Sequence, residues 1–221
     1  MVDRGDRVTL VAVRDSRRFG LQVLSRSMAP AATIGSGDLS FPRARIDSGD
    51  HAAATLQRCH GLTGARARRL LGHEVTSTYA MGCWVAAARV LLAATGLLFA
   101  VKGEQRTPVQ RRVPPRERQA VSGSGPGFAN FLVRDQLYCD LARLFFFTQW
   151  VDPGSGDATR FFLVNIPGDL RGAGAVWHAP DKALLLWREG DLPLDFETFA
   201  CLRILVDFSS CDSLLSEYRG S

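Results

Sequence analysis

The chain has 221 residues, 46% of them hydrophobic, and its 27 basic against 22 acidic side chains leave a formal net charge of +5. That is enough apolar material for one compact domain with a sizeable core; the charge is too diffuse for the basic stripe that nucleic acid needs, yet compatible with a small anionic ligand. Five cysteines without a CxxC and four histidines without HxxxH spacing argue against a disulfide framework or a zinc site, and for a reducing, cytoplasmic setting.

Taken in order, RVTLVAV (7–13) and FGLQVLS (19–25) read as strands joined by the polar RDSRR, a hairpin pattern. Asp3, Arg4, Asp6 and Arg7 interrupt any secretory signal. Residues 27–38, with the GSG at 35–37, read as a loop. LSFPRARIDSGDH (39–51) reads as a short strand broken by Pro42 and closed by turn residues. Helices are predicted over 51–59 and 62–71, with Arg66, Arg68 and Arg69 on a solvated face.

The run TYAMGCWVAAARVLLAATGLLFAV (78–101) is the most apolar part of the chain. Met81, Trp84, Val85, Ala88, Leu91 and Leu92 fall at helical spacing, Ser77 or Thr78 supplies an N-cap, and Gly96 stands where a C-terminal glycine ends a helix. LLFAV then reads as a buried strand. The run has the length of a membrane span, but Arg89 near its middle would cost roughly 2.5–3.5 kcal/mol on the insertion scale. A core helix is therefore expected, and no membrane span.

Residues 102–127 are basic and carry Pro108, Pro114, Pro115 and the loop-like SGSGPG, so a flexible segment is expected there. A helix follows over 128–137. LFFFTQWV (144–151) and TRFFLVNI (159–166) read as strands across the turn DPGSGD, 176–177 as a short strand, 180–189 as a helix ended by Gly190, and 197–208 as a last helix. Strands and helices alternate without βαβ regularity, which predicts an α/β (α+β) fold with a mixed sheet.

Several stretches, in this order and spacing, resemble the Nudix hydrolases. In that family a strand ends in Gly-Gly, and a helix then carries Arg-Glu, two residues, Glu-Glu, one residue and Gly. GDLSFPRARIDSGD (37–50) resembles the first part and AAARVLLAATGLLFA (86–100) the helix. QWVDP (149–153), DATRFFLV (157–164) and the W-x-x-P-x-x-A-L of 177–184 are similar to the coenzyme A diphosphatase-like branch, which has a long insertion, here 51–79. The resemblance implies a Nudix-like mixed sheet sandwiched between α-helices, as a single domain over 5–208 with a tail over 209–221.

Carried over position by position, the Gly-Gly pair is Arg43-Ala44. The arginine is kept as Arg89 and the closing glycine as Gly96, while the three glutamates become Val90, Ala93 and Ala94. Positions 90, 93 and 94 share one helix face, where the family's carboxylates would hold magnesium or manganese; Val and Ala offer no oxygen. No cofactor is therefore expected, with magnesium or manganese only at a rebuilt site for which Asp47, Asp50 and Glu74 are the candidates. Arg26, Arg45 and Arg89 are the candidate ligand-binding residues for a nucleotide or coenzyme A-like diphosphate. Arg89 has a second reading, as the partner of Asp47, Asp50 or Glu74.

Three functional readings follow. One is a catalytically degenerate Nudix protein that keeps a ligand cleft. Another is an active hydrolase with rebuilt ligands or metal-free chemistry. The third is an interaction protein, its Phe- and Trp-rich pieces forming a homodimer or partner interface.

Overall fold

The computed structural model describes residues 5–27, 39–166 and 175–219, the side chains of 26, 27 and 175 excepted. The loop expected over 27–38, with its GSG, lies outside them from residue 28 onward. In chain order the elements are β1 (Arg7–Ser16), β2 (Gly20–Ser27), β3 (Leu39–Ser40), β4 (Arg43–Arg45), a 3-10 turn (Ser48–His51), α1 (Ala53–Leu56), β5 (Cys59–His60) and α2 (Gly64–Leu71). Then come α3 (Ser77–Thr95), β6 (Leu97–Lys102), β7 (Thr107–Arg112), α4 (Pro115–Ser122), α5 (Gly125–Arg134), β8 (Leu137–Asp140) and a second 3-10 turn (Leu141–Arg143). The last are β9 (Phe145–Val151), β10 (Ala158–Asn165), β11 (Ala175–His178), α6 (Pro180–Glu189), α7 (Phe196–Leu205) and α8 (Cys211–Arg219). The fold is mixed α/β.

The single domain expected over 5–208 corresponds to two compact units, Met1–Leu10 with Arg43–Phe162, and Val11–Pro42 with Leu163–Ser221. Strands β1 and β10 each run through both. The tail expected over 209–221 carries α8, whose first N–H, that of Cys211, donates to Asp15 Oδ1 at 2.8 Å.

In the first unit, β4 pairs antiparallel with the start of β1 (Arg7↔Arg45, Val8↔Ala44, Thr9↔Arg43). A second, mixed sheet has the order β5-β8-β6-β7, with β5 parallel to β8 and the other pairs antiparallel. Helix α3 packs against α2, α4, α5, β4, β6 and the first 3-10 turn, and is buried nearly all round. That explains an apolar composition with no polar stripe. It is long and apolar enough to cross a membrane, but 78% of its most apolar stretch is buried inside the protein. Trp84 anchors it: the indole N–H donates to Leu144 O at 3.0 Å and the ring meets Phe162 edge-on at 4.9 Å.

The N-cap is Thr76, one residue before the expected pair; its Oγ accepts from Tyr79 N at 3.2 Å. Thr76, Ser77 and Thr78 are all competent caps, and the extended backbone at 76 (φ −72°, ψ 154°) decides between them. Gly96 ends the helix as expected, at φ +73° with its N–H on Leu92 O at 2.7 Å. Of the helix expected over 51–59 only the four residues of α1 form. The chain is then drawn into β5, where Arg58 O accepts from Cys139 N at 2.8 Å.

The segment 102–127, expected to be flexible, is folded. It completes a β6–β7 hairpin, forms α4 and starts α5. SGSGPG is a helix–helix junction: Gly123 closes α4, and Ser124 caps α5 by accepting from Gly127 N at 3.2 Å. Gly125 lies against the first 3-10 turn so closely that a Cβ there would stand 2.4 Å from the Gly49 carbonyl carbon. Composition read the glycines as disorder, whereas a close backbone approach requires them.

In the second unit, β2 forms the expected hairpin with the end of β1 (Val13↔Val23 to Ser16↔Gly20), and β11 and β3 pair with β2. Arg14 donates twice to Gln22 Oε1, at 3.0 and 2.9 Å, and stacks 4.2 Å from the Trp177 ring. Helices α6 and α7 pack together through Trp187 and Phe199, ring centroids 4.5 Å apart.

Candidate functional site

Arg89 projects from the middle of α3 and is 3% exposed. Its Nε and Nη2 donate to the two Asp50 oxygens, each at 2.6 Å, a bidentate fork. Nη1 donates to Ser122 O at 2.9 Å and Nη2 also to Arg45 O at 3.4 Å. Ser122 is the last residue of α4, so the guanidinium sits where a helix C-terminus favours positive charge. All three guanidinium nitrogens are engaged inside the protein. Arg89 is therefore a structural clamp, which corrects its assignment as a ligand-binding residue and selects Asp50 among the partners expected for it.

Asp50 is fully buried, and its Oδ2 also accepts from Asp47 N at 2.8 Å. Asp47 accepts from Gly49 N at 2.7 Å, so the two aspartates form a capping box around the 3-10 turn. Burial pushes the Asp50 carboxyl above its ordinary range, against the opposing pull of Arg89. Gly82 of α3 makes room for the turn, since a Cβ there would stand 2.7 Å from His51 Cβ.

A second buried ionic cluster gave no signal in the sequence. Asp6, 2% exposed, accepts from the Tyr79 hydroxyl, from Ala158 N at 2.8 Å and from Arg160 Nη1 at 2.9 Å. Burial alone would raise its carboxyl, but the Tyr79, Ala158 and Arg160 donors together bring it below the usual carboxylate value. A depressed folded-state pKa contributes stability that is present above the unfolded value, about 3.9, and is lost as pH falls through the folded one. Acid denaturation of Asp6→Asn, followed by circular dichroism, is expected to lose stability less steeply with falling pH below about 4 than wild type does. Equal slopes would show that Asp6 is not linked to folding.

Arg45 is exposed on β4, next to the Arg89 clamp through its carbonyl. Arg26 lies in the second unit, its backbone paired with Ser40 and Ala175. Glu74 is exposed in the turn between α2 and α3. Asp47 and Asp50 are committed to the capping box and the clamp.

No protein-family model and no curated protein matches the sequence. Among solved structures, the chain is similar to a crystal structure of a Nudix hydrolase from Alicyclobacillus acidocaldarius. The TM-score is 0.75 and the identity 25%, covering 98% of this chain and 97% of that one. A Nudix hydrolase from M. smegmatis, RenU, matches with a TM-score of 0.39 at 14% identity, over 96% of this chain and 93% of that one.

The chain has a Nudix-like fold.

The metal-binding positions that the Nudix resemblance implies can then be tested against the donors present. Val90 is 4% exposed, Ala94 half-buried and Ala93 exposed, and none of them carries an oxygen. Among the described residues, no three His, Cys, Asp or Glu side chains form a group able to hold a metal ion. Hard divalent cations take oxygen ligands, so these residues do not fit a Nudix metal centre. Arg43 and Ala44, which stand for the glycine pair, are part of the regular β4–β1 ladder, and neither has a positive φ. Their Cβ atoms are therefore accommodated without backbone strain.

Proposed function

We propose that this is a catalytically degenerate Nudix-fold protein that binds a small anionic ligand, a nucleotide or coenzyme A-like diphosphate, without hydrolysing it through metal ions. The observation that carries this reading is the division of labour on α3. Arg89 survives because its clamp on Asp50 holds the fold, whereas the positions whose only family role is metal binding have become Val90, Ala93 and Ala94. The exposed Arg43 and Arg45 on β4 add positive charge beside α3 and suit an anionic ligand. Five free cysteines, four of them buried, suit a reducing, cytoplasmic setting.

Metal in a Nudix-type site contributes several kcal/mol of charge stabilisation, and each ~1.36 kcal/mol is a factor of ten in rate. Hydrolysis of coenzyme A, NADH and ADP-ribose with magnesium or manganese is therefore expected at background, while at least one of these compounds raises the melting temperature. Metal-dependent turnover above background would sink the degenerate reading. No thermal shift at millimolar ligand would favour a protein-interaction role, for which the exposed Phe196 and Trp187 supply apolar surface.

A further inference from the structure

We propose that Arg58, Arg106 and Tyr138 form a second anion site, for a phosphate-bearing small molecule, on the β5-β8-β6-β7 sheet. None of the three residues lies on α3 or β4, so the site does not rest on the reading above.

The sheet register brings them together. Tyr138 on β8 is opposite Val101 of β6, and the parallel pair Cys59↔Cys139 sets Arg58, just before β5, beside Tyr138. Arg106 ends the four-residue turn between β6 and β7 and donates its N–H to Gly103 O at 3.2 Å. The guanidinium carbons of Arg106 and Arg58 lie 3.5 and 5.1 Å from the centre of the Tyr138 ring. Two cations share one aromatic ring.

Three observations point to an anion there. Among the described residues, neither guanidinium forms an ion pair, so the Tyr138 ring is what their positive charges face. Arg106 Nη1 is buried with no hydrogen-bond partner, a donor left unmade at a cost that a ligand oxygen would remove. Arg106 also has φ +51°, one of two non-glycine residues with positive φ among those described, at a turn position that glycine or asparagine would occupy without strain. Keeping arginine in a strained backbone is the kind of outlier that leads from structure to function.

The chemistry selects phosphate. Guanidinium forks match phosphate oxygens in plane and in charge, and an arginine held flat on a ring is pre-oriented to use them. The exposed Lys102, paired with Leu137 beside Tyr138 and at the same end of the hairpin as Arg106, adds a further positive charge.

Inorganic pyrophosphate titrated by calorimetry at low ionic strength tests this. Wild type is expected to bind at or below millimolar concentration. Arg58→Ala and Arg106→Gly are each expected to weaken binding tenfold or more. Arg106→Gly removes the guanidinium but keeps the turn, because glycine adopts the positive φ freely, so its melting temperature is expected to equal or exceed that of wild type. Arg203→Ala, which removes one exposed charge from α7, is expected to bind like wild type. Affinities for Arg58→Ala and Arg106→Gly within twofold of wild type would overturn the site, as would a wild type that does not bind.

Discussion

Arg89→Met is expected to lower the free energy of unfolding by about 3–5 kcal/mol, the cost of removing one partner from a buried ion pair. The substitution keeps the length and apolar body of the side chain while leaving Asp50, fully buried, without its fork. It also frees the Ser122 carbonyl at the end of α4. The loss is therefore greater than that of a surface bridge such as Arg219–Asp212, whose exposed partners contribute about 0–1 kcal/mol. The pH dependence gives a second readout. With Arg89 gone, burial raises the Asp50 carboxyl further, opposed by the Asp47 N–H and no longer by a guanidinium. A raised folded-state pKa means that stability is retained below the unfolded value of about 3.9 and lost as pH rises through the folded one. The deficit of Arg89→Met is thus largest at neutral pH and narrows on acidification, measurable by urea denaturation across pH. A deficit under about 1 kcal/mol at neutral pH would show that the clamp is dispensable.

Introducing carboxylates at the three positions that the Nudix resemblance implies is expected to destabilise the helix unequally along its length. Ala93→Glu places its charge in solvent and should change stability by no more than about 0.5 kcal/mol. Val90→Glu puts a carboxylate at a position only 4% exposed, and burying an unpaired charge costs on the order of several kcal/mol. The triple variant with glutamate at 90, 93 and 94 should therefore melt well below wild type without metal. If the three carboxylates converge on one ion, magnesium at a hundredfold above its dissociation constant would restore about 2.7 kcal/mol. Melting curves with and without magnesium decide this, and a metal-insensitive triple variant means that the face no longer converges. Adding glycine at 43 and 44 brings no relief of strain. Both positions are extended in β4, where glycine weakens a strand.

Much of the fold was legible because it is written locally. The β1–β2 hairpin follows from alternation around a polar turn, α3 from helical spacing closed by Gly96, and α6 from Pro180 and Gly190 at its ends. Local patterning failed where tertiary pairing overrode it. The helix expected over 51–59 stops at Leu56, and Cys59 enters β5 because Cys139 offers a strand partner. The basic, proline-rich 102–127 segment folds because Val113 and Val121 within it and Phe128 just after it are buried, while its glycines admit close backbone contact.

The chemical conclusion about the site came from the sequence alone, since Val90, Ala93 and Ala94 cannot donate oxygen to a metal in any conformation. That covers the oxygen ligands missing at these three positions, and no more. Which charges survive, and for what purpose, was decided by the tertiary structure. Arg89 meets Asp50 39 positions away and Ser122 33 positions away, and Asp6 meets Arg160 across 154. A guanidinium in a sequence is equally a ligand contact, a surface charge or a buried clamp. Only the folded chain removes it from water and supplies the carboxylate that makes its burial tolerable.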